Sequence, residues 1–242
     1  MKQLDVRFKQ SLPDQSQPKQ KRRDVGYKRL GTTHVSPGHV PFSPCWYNVA
    51  QQVGVSQSFR GWPKSPTVQW LRQNQDGLSL LGAVLALIHP QLAVRGCSIL
   101  RGYQNGTIIN KATTTLGPER VLWPSPFNAF SILSNRASVL HRDGKGLAGF
   151  YDIITTVGDY TDGEFQVPGI GLRFKYNPGT IIGVCGKALA HAVPEVNGDR
   201  FCIVQYFHKR VLEMITREGF HENQGFNGWM TEADFIANIE NL

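Results

Sequence analysis

Two histidines, an aspartate and an arginine are spaced so that they could do chemistry together: His141 and Asp143 in Leu140-His141-Arg142-Asp143, then His191, then Arg200. Two imidazoles and one carboxylate can occupy one face of an iron octahedron and leave the opposite positions open, the arrangement of non-haem Fe(II) oxygenases. A cation one short strand beyond the second histidine is placed to hold the distal carboxylate of 2-oxoglutarate, while the keto acid's other end chelates the metal. Arginine suits that task because its planar fork grips a carboxylate through two charge-assisted hydrogen bonds. The spacing reads as an Fe(II) and 2-oxoglutarate dioxygenase.

Simpler readings compete with this one. A His-x-Asp tripeptide alone is a weak pattern that arises by chance. His-Arg-Asp also occurs in the catalytic loop of protein kinases, but here it continues as Gly144-Lys145-Gly146-Leu147, with no Asp-Phe-Gly downstream and no glycine-rich loop upstream, so that reading fails.

The elements between the residues favour the metal site. Phe150 to Val157, Gly163 to Val167, Leu172 to Tyr176 and Thr180 to Val184 read as short strands separated by glycine, proline, asparagine and aspartate, with Asn177-Pro178-Gly179 the clearest turn. Such punctuation suggests a β-sandwich or jelly roll, whose mouth can gather ligands from distant positions. The fold class expected is α+β, a double-stranded β-helix (jelly-roll) core with flanking helices. His141 and Asp143, two apart, would share one face of a strand. Helices are expected at Thr67 to Gln73 and Leu78 to Ile88. Ser98 to Tyr103 reads as a strand leading through Asn105-Gly106 into a hairpin with Thr107 to Ile109. Thr231-Glu232-Ala233-Asp234 resembles a capping box that opens a short terminal helix.

The chain has 242 residues, 40% of them hydrophobic, enough for one substantial domain. The longest apolar run, Leu78 to Ile88, is too short for a bilayer that asks for about 20 residues. The first residues lack the apolar stretch of a secretory signal, so an intracellular protein is expected. Cys45, Cys97, Cys185 and Cys202 form no Cys-x-x-Cys pair, which points to reduced, mostly buried thiols. Cys202 shares the strand parity of Arg200 and reads either as lining the cosubstrate pocket or as a small core residue.

Charge is unevenly distributed. Residues 1–30 hold nine basic side chains against three acidic ones, so most of the net +8 lies there. The organisation expected is a basic arm over residues 1–39 and a single dioxygenase domain over 40–242, with its jelly-roll core at about 95–210. Lys21, Arg22 and Arg23 are suited to phosphate contacts on nucleic acid, which position a protein without reading sequence. A solvated tail or a nuclear-import signal fits the same residues. Nuclear localisation and a monomer are the expectations.

Asn135 to Asp143, the strand and turn Phe174-Lys175-Tyr176-Asn177-Pro178-Gly179, and the pair His191 and Arg200 resemble the TET and JBP superfamily of nucleic-acid-modifying dioxygenases. Within it the chain looks most like the fungal branch associated with transposable elements. The resemblance implies that His141, Asp143 and His191 bind Fe(II) and that Arg200 holds the distal carboxylate of 2-oxoglutarate. It implies that Arg136 contacts the cosubstrate's other carboxylate, that Tyr206 stacks on a flipped base and that His208 hydrogen-bonds to it. Enzymes that act on a base within a duplex extrude it, and a ring face with polar edge contacts is what the extruded base needs. The implied partner is double-stranded DNA carrying a flipped methylated base. The implied reaction is oxidation of 5-methylcytosine to its hydroxymethyl derivative and further products. One departure is Gly146, which stands where methylcytosine oxidases of the family carry an Asn or Asp that reads the base's edge. A roomier pocket would admit N6-methyladenine, making demethylation an alternative. A 2-oxoglutarate oxygenase of a non-nucleic-acid substrate, and a catalytically silent DNA-binding protein, remain as further alternatives.

Overall fold

The computed structural model describes residues 35–44, 46–47, 53–54, 56–59, 66–105, 123–144, 146–209 and 211–212. The basic arm with Lys21, Arg22 and Arg23, the 107–109 hairpin strand and the helix expected after Thr231 lie outside them. Strand β1 is Gly38–Phe42, followed by the two-residue strands β2, Trp46–Tyr47, and β3, Val53–Gly54. Three helices come next: α1, Pro66–Gln73; α2, Gln75–Ile88; and α3, Pro90–Asn105. Then come β4, Ala129–Ser134; β5, Ser138–His141; β6, Asp152–Tyr160; β7, Glu164–Val167; β8, Leu172–Lys175; β9, Ile181–Val184; β10, His191–Val193; and β11, Gly198–Tyr206.

Two antiparallel sheets form the core. The larger has the order β1-β4-β11-β6-β9 and the smaller β5-β10-β7-β8. Period-two alternation along β11 separates the two faces. Phe201 and Ile203 join Phe130, Ile132 and Ile153 in the layer packed against the helices, which contribute Trp70, Leu71, Leu78, Leu85, Leu92 and Ile99. Cys202 and Val204 point the other way, into the space between the sheets with Ile154, Phe165, Val167, Tyr176, Val184 and Val193. Arg200 and Tyr206 share the inward parity of Cys202 and Val204.

The helices are tied to the sheet by polar bonds as well as apolar area. Gln205, fully buried on the helix side of β11, donates from Nε2 to the Leu78 carbonyl at 3.0 Å and accepts from Ser125 Oγ. No described helix is long and apolar enough to cross a membrane.

One expected strand is a helix. Ser98 to Tyr103 continues α3, which buries Leu92, Ala93, Gly96 and Ile99 along one stripe. Pro90 takes a first-turn position, and His89 caps the start, its Nδ1 accepting from the Leu92 amide at 3.3 Å. Ile99 and Tyr103 have strand preferences, but packing of an amphipathic face decides. The jelly-roll strands after the helices therefore begin at Ala129 rather than near residue 95. The described domain also reaches back past residue 40, because Gly38 and His39 lie in β1 and the amide of buried Val35 donates to Asp199 Oδ1.

Candidate metal and cosubstrate site

His141 closes β5, and His191 opens β10 directly across from it in the antiparallel register. Residues opposite one another in such a ladder share a face, so the two imidazoles meet with ring centroids 4.5 Å apart. Each ring is oriented from behind. His141 Nδ1 donates to the Val139 carbonyl at 2.8 Å and His191 Nδ1 to the Leu189 carbonyl at 3.0 Å. A carbonyl only accepts, so the proton sits on Nδ1 and the Nε2 lone pair is left for a metal, the outer-shell device that sets a ligand tautomer. Phe165 lies parallel to the His191 ring at 5.5 Å and fixes its plane.

Asp143 differs from the expectation of a shared strand face. β5 stops at His141, and Asp143 lies in the following loop, where its amide donates to the Gly186 carbonyl at 2.9 Å. Its carboxylate nonetheless converges on the histidines, with Oδ1 3.6 Å from His141 Nε2 and Oδ2 3.8 Å from His191 Nε2. The three ligand atoms all lie within 4.8 Å of one another. Cross-ties hold the two loops together: Arg142 Nε donates to the Ala188 carbonyl at 3.1 Å, and Lys187 Nζ to the Gly144 carbonyl at 3.3 Å. His191 is buried, whereas His141 and Asp143 are 40% exposed, so the cluster opens to solvent on one side. Two neutral imidazole nitrogens and one carboxylate with an open side fit Fe(II).

Arg200 is buried and opposite Gly158 in the β11–β6 ladder. Its Nη2 donates to the Arg136 carbonyl, while Nη1 is buried with no partner among the described residues. A desolvated guanidinium nitrogen with no acceptor is costly, and a ligand carboxylate would supply one. Arg136 and Arg200 line a shallow open cleft with Asn135, Glu195 and Gly198. Asn135 builds this corner. It adopts φ 46°, a left-handed conformation that asparagine tolerates, and its side chain accepts from the Arg200 amide at 2.7 Å while donating to Val35 and Asp199. Cys202 faces the same interior, 3.4 Å from the Tyr176 hydroxyl, and burial pushes its thiol pKa up.

Tyr206 ends β11 with its hydroxyl 3.3 Å from Ser131 Oγ, and burial raises its phenol to about 12. His208 is buried but lies beyond the strand. Its amide donates to Asn128 Oδ1 and its carbonyl accepts from Val211 and Leu212, so a helical turn replaces the alternation expected to carry it beside Tyr206. Gly146 sits in the turn after Asp143. A Cβ there would stand 3.4 Å from Lys187 Cβ, an ordinary contact, so the position is not closed to a side chain by packing.

Two residues beside Asp143 escaped the sequence reading. Asp152 opens β6 and is buried. Burial, and then the neighbouring charge of Asp143, push its pKa well above the usual carboxylate range. Gly186 lies between the two acids: a Cβ there would collide with Asp143 Oδ2 and come within 3.2 Å of Asp152 Oδ2. Neither residue belongs to a spaced motif, and strand alternation gives Asp152 only a direction.

Residues 65–209 match the family model described as the oxygenase domain of the 2OGFeDO superfamily, Tet_JBP. Among solved structures, NgTET1 in complex with 5mC DNA is similar with a TM-score of 0.52 at 14% sequence identity. The similarity covers 72% of this chain and 61% of that one, so the chain spans less than two thirds of its structural relative. No curated protein sequence matches the chain.

Proposed function

The chain belongs to the TET and JBP family of 2-oxoglutarate and iron dioxygenases, and on that premise we propose that it oxidises the methyl group of 5-methylcytosine in double-stranded DNA, giving the hydroxymethyl base as first product. The observation that carries the reading is the convergence of His141 Nε2, His191 Nε2 and the Asp143 carboxylate, with both imidazoles held in the ligand tautomer by backbone carbonyls. The solved structure of NgTET1 with 5mC DNA supports the choice of substrate.

In this reading His141, Asp143 and His191 hold Fe(II), and the unpartnered Nη1 of Arg200 takes the distal carboxylate of 2-oxoglutarate. Arg136 takes the other. When bound, the metal and keto acid would supply the oxidising chemistry with molecular oxygen as co-reactant: one oxygen atom goes into succinate as 2-oxoglutarate loses carbon dioxide, and the other goes into the methyl C–H to give C–OH. The protein's contribution is binding, orientation and electrostatics. Phe165 and Tyr176 keep the inner side of the site apolar. Tyr206 offers a ring to the flipped base, His208 stands at the strand's end, and Lys21, Arg22 and Arg23 of the arm contact the DNA backbone. The edge contact that Gly146 lacks is offered by Asp152, whose buried carboxyl group lies on the other side of Gly186 from Asp143 and suits an exocyclic amine.

A second reading, demethylation of N6-methyladenine, is favoured by Gly146: the missing edge-reading side chain loosens selection against a purine. Hydroxylation of that N-methyl group gives a product that falls apart to formaldehyde and the free amine. Nucleoside mass spectrometry after incubation with Fe(II), 2-oxoglutarate and duplexes carrying either base tests both. Loss of 5-methylcytosine with a new hydroxymethyl product, abolished in Asp143→Ala, is expected. Loss of N6-methyladenine alone would replace the first reading with the second, and no change in either duplex would sink both.

A further inference from the structure

A row of three polar side chains crosses the inner face of the larger sheet at the end where Tyr206 lies. His39 on the edge strand β1 pairs in register with Leu133, and Tyr206 on β11 pairs with Ala129. Between them Ser131 on β4 pairs with Val204, which faces the space between the sheets. His39, Ser131 and Tyr206 therefore share the inward parity. His39 Nε2 and Ser131 Oγ are 3.0 Å apart, and Ser131 Oγ and the Tyr206 hydroxyl are 3.3 Å apart. Ser131 is buried, so its hydroxyl is directed by these neighbours rather than by bulk water. Alternation alone carries no signal that a histidine in an edge strand reaches a tyrosine two strands away. His39 also precedes the 65–209 segment that matches the family.

We propose that His39 is a positioning residue that acts through Ser131 to hold the Tyr206 hydroxyl, and so sets the direction of the ring that the pocket offers to a base. The segment before the family-matched oxygenase region thus completes the pocket. A hydroxyl can both donate and accept, so Ser131 can bond imidazole and phenol at once. Without His39, the Ser131 hydroxyl loses the partner that orients it against the Tyr206 hydroxyl. The consequence for substrate rests on the reading of Tyr206 given above, whereas the relay itself does not.

Two measurements on the full chain test this. In the first, the protein is labelled with 3-fluorotyrosine, and the Tyr206 resonance is identified by ¹⁹F NMR from its loss in Tyr206→Phe. His39→Ala and Ser131→Ala should both shift that resonance, His39→Gln should return it towards the wild-type position, and the Tyr160 and Tyr176 resonances should stay in place. A Tyr206 resonance unmoved by His39→Ala overturns the relay, whatever the substrate. In the second, KM for methylated duplex should rise about tenfold in His39→Ala, as for loss of one hydrogen bond, with KM for 2-oxoglutarate unchanged. Tyr206→Phe should show a similar rise, and the double variant should be no worse than either single one. Additive losses, or an equal rise in KM for 2-oxoglutarate, would contradict the positioning role. Wild-type protein inactive on methylated duplexes would instead refute the substrate reading and leave the NMR result to decide the relay.

Discussion

Gly186 and Asp143 show how closely single residues are constrained here. A Cβ at Gly186 would occupy the place of Asp143 Oδ2, and the Gly186 carbonyl receives the Asp143 amide. Gly186→Val should therefore displace the carboxylate without removing it. Iron affinity is expected to fall about 10- to 100-fold, as when a ligand's supporting partner is lost; metal titration of the purified variant checks this, and unchanged affinity would mean that the loop yields. Cys202 tests burial on the cosubstrate side. Its thiol pKa is raised by burial, which outweighs the lowering by Tyr176 and Arg200. Less thiolate is present at mildly alkaline pH than an exposed cysteine would have, so alkylation is expected to be slow in the native protein and fast after denaturation. Mass spectrometry of the labelled peptide reads the difference. At this scale the grouping of His141, Asp143 and His191 was legible because residue type and spacing together point to it. Asp152, Gly186, Asn135 and His39 were not, because their roles come from neighbours distant in sequence and from a left-handed φ at Asn135 that no spacing encodes.

At the scale of elements, alternation and turn residues made β6 to β9 readable. The long apolar run Leu78 to Ile88 did the same for α2. The segment from Ser98 to Tyr103 was misread because β-branched and aromatic residues before Asn105-Gly106 imitate a hairpin, while the surface that makes it a helix belongs to other elements. Gly96 shows that surface: a Cβ there would stand 2.6 Å from the Pro126 carbonyl, so α3 lies against the chain that leads into β4. Gln205 joins the layers at the same end, linking β11 to α2 through the Leu78 carbonyl. Replacing it with alanine leaves that carbonyl and Ser125 Oγ without their partner. The expected cost is about 2 to 4 kcal/mol, the unmet hydrogen bonds together with the vacated volume. Urea unfolding with an unchanged m-value measures it, and a loss under 0.5 kcal/mol would show that water replaces the amide.

For the molecule as a whole, the net +8 is concentrated before residue 31, separate in sequence from the iron-site residues. If Lys21, Arg22 and Arg23 contact phosphates, deleting residues 1–34 should weaken duplex binding and flatten its dependence on salt, lowering the log–log slope by roughly 2 to 3 for three lost contacts. Turnover at saturating duplex should persist if the pocket is built from residue 35 onward. A slope unchanged by the deletion would assign the arm to import or to solvation.

The central claim is that the convergent His141, Asp143 and His191 couple 2-oxoglutarate oxidation to oxidation of a DNA methyl group. The most direct measurement counts succinate formed and methylated base oxidised in the same reaction, with Fe(II), in the wild type and in Asp143→Ala. About one succinate per oxidation step, with both products absent in Asp143→Ala, is the predicted result. Base oxidation without succinate, or turnover that survives loss of the aspartate, would contradict it.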